Sequence, residues 1–253
     1  MGKLRPAFRA AWIVALFLAC VPLHYAWKLA GARSPWPRRF LCWVARAAGM
    51  RARVIGTPLP RNVLFVANHE SWLDILLLAG ASGTAFVSKA EVAAYPLLGW
   101  MAGLNNTVFV ARSERSAVRG QADQLRAALA SGQPVALFPE GTTDGGSDVL
   151  PFRASLLASL FPPLAGIALQ PVAIDYGEAA QDIAWVGSEA GLANVKRVLA
   201  RRGTNEVTLT FLEPLDPASA GDRKVLAERS RSAIVAALGR PSGEPADRLQ
   251  AAP

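Results

Sequence analysis

Carboxylates are missing from the first 69 residues of this 253-residue chain, although that stretch holds eleven Lys or Arg; Glu70 is the first acid. Residues 70–253 therefore carry sixteen basic and nineteen acidic groups, so the net charge of +8 belongs to the N-terminal region alone. With no basic face in the body of the chain, nucleic acid is excluded as a partner. Cysteine is scarce: Cys20 and Cys42 form neither a CxxC pair nor a cluster, which excludes a disulfide framework and a zinc knot. Histidine is equally scarce. His69-Glu70 opens like HExxH, but position 73 is Leu73, and the other histidine, His24, lies far upstream, so no metal site is expected. The nucleophile elbow GxSxG and the phosphate loop GxxxxGK[ST] are both absent, which removes serine hydrolysis and phosphate-loop chemistry. There is no internal repeat.

Apolar residues, by contrast, are abundant, at 52% with a mean hydropathy of +0.25, high for a soluble enzyme. Ala10–Trp27 is an uncharged stretch at the lower length limit for crossing a bilayer, with Lys3, Arg5 and Arg9 before it and Lys28, Arg33, Arg38 and Arg39 after it. Basic flanks on both sides give no clear orientation. A second stretch, Phe40–Met50, is apolar apart from Arg46 and follows the helix-breaking Pro35-Trp36-Pro37. Trp12, Trp27, Trp36 and Trp43, four of the seven tryptophans, lie here, as suits a membrane interface. Residues 1–52 thus read as a helix, a turn and an amphipathic helix that anchor the chain to membrane lipid. A cleaved secretory signal ending at Ala30-Gly31-Ala32 is the competing reading, disfavoured by the arginines beyond it.

From residue 53 to 240, short apolar runs alternate with helical patterns. Val63–Ala67, Thr84–Ser88, Thr107–Val110, Val135–Phe138, Ala168–Ile174 and Glu206–Phe211 read as strands. Ser71–Ala79, Ala117–Ser131, Ser155–Leu160, Leu192–Arg201 and Asp222–Leu238 read as helices. This alternation predicts an α/β domain with a mixed, largely parallel sheet flanked by helices. Residues 241–253 read as a loose polar tail.

Two segments carry chemistry. Asn68-His69-Glu70-Ser71-Trp72-Leu73-Asp74 follows a strand-like run, and Phe138-Pro139-Glu140-Gly141-Thr142 follows another. An aspartate that takes the Nδ1 proton of an imidazole leaves Nε2 free to accept a proton from a hydroxyl. The bland reading of the same spacing is a helix cap at a strand-to-helix turn. The second segment is a loop rich in N–H and hydroxyl groups, suited to an anion. Direct transfer fits best: His69 deprotonates a hydroxyl that attacks an activated carbonyl.

Asn68-His69-x4-Asp74 and Phe138-Pro139-Glu140-Gly141-Thr142 resemble the glycerolipid acyltransferase family, which includes the 1-acylglycerol-3-phosphate acyltransferases. Two further blocks appear in family order: Val108-Phe109-Val110-Ala111-Arg112, and Leu169-Gln170-Pro171-Val172-Ala173-Ile174. The resemblance implies His69 as general base, Asp74 as its orienting partner and Arg112 as the holder of an anionic acceptor head. It implies that Asn68, Glu140, Gly141 and Thr142 shape the acceptor pocket, with Lys89 and Arg153 either adding charge or simply lying on the surface. It also implies an acyl-chain tunnel, no cofactor, acyl-CoA or acyl-carrier protein as donor, and an inner-membrane location with the catalytic domain on the cytoplasmic side. Lysophosphatidate, giving phosphatidate, is the favoured acceptor on family frequency, with lyso-ornithine lipid as the alternative. The chain departs from that pattern at Thr143-Asp144, where many phosphatidate-forming members carry Arg after Glu-Gly-Thr. The run from Thr142 to Arg153, with Ala184-Trp185-Val186-Gly187, is similar to the branch that acylates lyso-ornithine lipid, whose amine Asp144 or Asp148 would meet. A membrane-docked lipid-binding protein without turnover is the reading from a different class.

Overall fold

The computed structural model describes residues 4–89, 93–110, 115–143, 145–187 and 189–240. Two helices come first, α1 (Leu4–Leu29) and α2 (Trp36–Ala47), packed on one another. The body follows as β1 (Met50–Ile55), β2 (Val63–Ala67), α3 (Leu73–Ser82), β3 (Ala85–Lys89), α4 (Pro96–Leu104), β4 (Val108–Val110), α5 (Arg115–Ala130) and β5 (Val135–Leu137). After a 3-10 turn at Ala154–Leu160 come β6 (Ala168–Asp175), α6 (Ala180–Ile183), α7 (Gly191–Ala200), β7 (Asn205–Phe211), α8 (Pro217–Ala220) and α9 (Arg223–Leu238).

The strands form one sheet in the order β1-β7-β6-β2-β5-β3-β4, antiparallel only between β6 and β7. Every residue of β2 is buried, so this strand needs cover on both faces. Its side chains alternate accordingly. Val63, Phe65 and Ala67 point into a core made with α2, α3 and α7. Leu64 and Val66 point into a second core made with α5, the 3-10 turn and α9. The expected mixed, largely parallel α/β architecture is what the structure has.

Two elements escape the sequence pattern. The second N-terminal helix ends at Ala47, and Met50–Ile55 is an edge strand with only Met50 buried. A strand open on one edge and carrying Arg51 and Arg53 shows no core alternation. Helix α4 (PLLGWMAGL) contains two glycines and no polar face, so helical periodicity does not reveal it. Ser155–Leu160, expected as a helix, is the 3-10 turn.

The topology positions the site. From β2 the chain crosses over β5 to reach β3, whereas from β5 it returns to the opposite side of β2 at β6. The ends of β2 and β5 therefore flank a switch in connection direction, where open α/β sheets form a crevice at the carboxyl ends of the strands.

Helix α1 is tied to the body by Arg9 near its start and by Tyr25 near its end, whose OH accepts from Trp100 Nε1 at 3.2 Å. Arg9 donates to the carbonyls of Ala48 and Leu199 at 3.2 Å and of Gly203 at 3.1 Å. His24 is buried and its Nδ1 lies 2.9 Å from Ser34 Oγ. The remaining surface of α1 is apolar and exposed, including Phe8, Trp12, Leu18 and Trp27.

Candidate active site

β2 ends at Ala67, and Asn68 extends its pairing through a side chain. Asn68 Oδ1 accepts from Ile174 N at 2.8 Å, and Nδ2 donates to Ile174 O at 2.9 Å and to Glu70 Oε1 at 3.2 Å. This buried amide fixes the turn against β6 and spends its hydrogen bonds inside the protein. The next residue, His69, stands just past the carboxyl end of β2, its side chain 18% exposed and its Nδ1 2.9 Å from Asp74 Oδ2.

Asp74 lies in the first turn of α3 and is fully buried. Its Oδ2 also accepts from Glu70 N at 2.8 Å and Ser71 N at 2.9 Å, and its Oδ1 accepts from Tyr176 OH at 2.5 Å. Asp74 thus caps no N–H of α3; it ties the loop before the helix to the His69 ring. The backbone N–H groups it holds fix the loop, and the fixed loop presents His69. An ionised carboxylate can only accept, so Nδ1 carries the proton and Nε2 is left as the acceptor. Tyr176 stays protonated, because burial and the neighbouring Asp74 push its phenol well above its ordinary value.

The second motif braces the first. Glu140, buried after β5, accepts from His69 N at 2.7 Å through Oε1 and from Leu150 N at 2.8 Å through Oε2. Gly141 has φ +75°, and a Cβ there would stand 3.1 Å from the Arg153 guanidinium, so the exposed Arg153 lies directly against this turn. Thr142 is exposed, while Thr143 turns inward and donates to Trp185 O at 2.5 Å. Trp185 N in turn donates to Glu70 O at 2.8 Å. Farther along, Trp72 Nε1 donates to Asn194, which shares Glu189 with Arg197. Those hydrogen bonds, from Arg197 first and then Asn194, hold the Glu189 carboxyl down to about 2.

An apolar cavity of about 240 Å³ lies between the N-terminal helices and the α3, β3 and α4 layer. Phe17, Phe40, Ile75, Phe86 and Met101 are in its wall. Phe86 is nearly parallel to Phe138, with centroids 6.0 Å apart, and Phe138 stacks on the His69 imidazole at 4.0 Å and 12°. A continuous aromatic column thus joins the cavity to the imidazole.

The structure therefore brings together Asn68, His69, Asp74, Glu140, Gly141 and Arg153. Lys89 is the last residue of β3, but its side chain, like Arg112, Asp144 and residues 241–253, lies outside the described residues. The residues that sequence reading missed are Tyr176, Trp185 as a backbone donor, and Phe86. Each meets the motif only through the fold. Among the described residues no group of His, Cys, Asp and Glu could hold a metal ion.

Comparison with known proteins agrees with this geometry. The Acyltransferase family profile matches residues 51–175. The chain is 34% identical to the lyso-ornithine lipid O-acyltransferase of Brucella abortus, over 94% of this chain and 95% of that protein. It is 36% identical to the 1-acyl-sn-glycerol-3-phosphate acyltransferase of Neisseria gonorrhoeae, but over only 48% of each. The crystal structure of the 1-acyl-sn-glycerophosphate acyltransferase from Thermotoga maritima has the same fold, with a TM-score of 0.65 and 23% identity over 94% of this chain and 97% of that one. This chain belongs to the glycerolipid acyltransferase family.

Proposed function

We propose that the chain moves a fatty acyl group from acyl-CoA or acyl-carrier protein to the hydroxyl of lyso-ornithine lipid, with His69 as general base. The observation that carries this reading is the His69–Asp74 pair at one end of an aromatic column whose other end walls an apolar cavity. In the transfer, the lysolipid oxygen attacks the thioester carbonyl and gives its proton to His69 Nε2. The new C–O bond forms, the C–S bond breaks, and the leaving sulfur takes the proton back. Asp74 holds the ring in the required tautomer and stabilises the imidazolium as it forms.

Two observations favour lyso-ornithine lipid over lysophosphatidate, the acceptor that the family's frequency suggests. The relative named for lyso-ornithine lipid matches over nearly the whole chain, the one named for 1-acylglycerol-3-phosphate over half. At the position after Glu140-Gly141-Thr142, where an arginine would grip a phosphate, a threonine is turned inward onto Trp185.

Membrane association rests on α1, which is long and apolar enough to cross a bilayer. The two ties from Arg9 and Tyr25 to the body are sixteen residues apart, about 24 Å of helix. A helix held alongside its domain at both points suits an interfacial position, with its exposed apolar face in the lipid. We place the domain on the cytoplasmic side of the inner membrane, where both acyl donors are made.

The test is His69→Ala in detergent-solubilised protein. Turnover is expected to fall by about 10²–10⁴ or more while lysolipid binding is kept. Undiminished turnover would contradict the general-base role, and absence of turnover in the parent protein would favour the lipid-binding reading.

A further inference from the structure

Beyond the catalytic pair, the loop holds a buried ion pair that acyl transfer does not by itself require. Arg240 follows α9 and its C-cap Gly239, and its guanidinium reaches back 170 residues to Glu70, next to His69. Nη2 lies 2.8 Å from Glu70 Oε1, with side chains 13% and 2% exposed. Glu70 is a junction of the site. Its N–H donates to Asp74 Oδ2, the oxygen that also receives His69, its carbonyl accepts from Trp185 N, and its carboxylate accepts from Asn68.

The pair is not built for economy. Glu70 Oε2 and Arg240 Nη1 are buried without a hydrogen-bond partner among the described residues. Gly146 closes over the pair at φ +78°, and a Cβ there would stand 3.0 Å from Glu70 Oε2 and 3.1 Å from Ala180 Cβ. A buried ion pair contributes little net stability compared with apolar packing, and removing one partner strands the other charge. Its placement beside the imidazole therefore points to alignment.

We propose that Arg240 is a positioning residue for the transfer reaction. Through Glu70 it fixes the peptide that holds Asp74, and through Asp74 it fixes the plane of His69. This role rests on the acyltransferase reading above. It adds to the site a residue from the far end of the chain that touches neither substrate nor imidazole.

The test is a kinetic cycle on the full chain in detergent, with the donor and lysolipid pair that gives His69-dependent turnover in the parent protein. Arg240→Gln is expected to lower kcat about ten- to a hundredfold with KM for both substrates changed less than about threefold, since alignment is lost and binding is not. Arg240→Lys, which keeps the charge but not the planar fork, is expected to recover kcat only in part, to about two- to fivefold below the parent. The double variant Glu70→Gln/Arg240→Gln is expected to be no worse than the more impaired single variant, because both act along one path. A folded Arg240→Gln protein with parental kcat, or losses that multiply in the double variant, would overturn the proposal. If Arg240→Gln does not fold, Arg240→Lys decides: an intermediate kcat at unchanged KM supports the role and parental kcat overturns it. Failure of the acyltransferase reading itself would show in the parent protein's arm alone.

Discussion

Asp74 receives hydrogen bonds from four donors, His69, Glu70, Ser71 and Tyr176, and of these Tyr176 is the one that no local spacing announces. It stands 102 residues away along the chain, immediately after β6, and meets Asp74 only because β6 pairs with β2. Tyr176→Phe removes a hydrogen bond to a buried carboxylate at almost constant volume. The expected outcome is a loss of stability on the order of 1.5–3 kcal/mol in denaturant unfolding, the usual scale for a bond to a charged group. A fall in kcat of about tenfold accompanies it, since the aspartate is then less firmly set beneath the imidazole. Unchanged stability and unchanged kcat together would mean that the phenol only fills space. His69, Asp74 and Glu140 were legible because each lies within a short motif at the end of an apolar run. Tyr176 and Arg240 were not, because a single hydrogen bond across the fold leaves no periodic trace in sequence.

Elements became legible in proportion to how completely they are buried. β2, β5 and β6, the centre of the sheet, are near-continuous apolar runs, whereas β1, open to solvent along one edge, gives a run interrupted by arginines. The link between the end of β2 and the end of α9 is likewise invisible to periodicity, and it has a pH consequence. Burial, opposed by Arg240, raises the Glu70 carboxyl to about 7 from an ordinary 4.5. Because the folded value lies above the unfolded one, the folded state binds the extra proton, and the stability this confers is complete below about pH 4.5. It is lost as pH rises to about 7, a change on the order of 3 kcal/mol. Glu70→Gln cannot titrate, so its stability relative to the parent should improve by that order between about pH 4 and about pH 8. Denaturant unfolding of both proteins at the two pH values measures this. A difference independent of pH would mean that Glu70 ionises at its ordinary value and that its burial is relieved by solvent.

Across the whole molecule, the N-terminal helices do more than attach the body to lipid. They supply one wall of the cavity, and the α/β body supplies the other. Composition had already separated a basic, Trp-rich anchor from a near-neutral body. The closure of a shared cavity depends on how α1 and α2 dock, with Arg9 on three backbone carbonyls and His24 beside Ser34, which composition does not encode. Burial in such a cavity removes an acyl chain from water at roughly 0.8 kcal/mol per methylene, which under the proposed function would hold the donor beside His69. The acceptor is then the defining property of the molecule. The most direct measurement is a product analysis of purified full-length protein supplied with labelled acyl-CoA or acyl-carrier protein and equal amounts of lyso-ornithine lipid and lysophosphatidate. The predicted result is diacylated ornithine lipid as the dominant product. Phosphatidate as the dominant product would contradict the account, because it would require a phosphate grip that the inward-turned Thr143 does not provide.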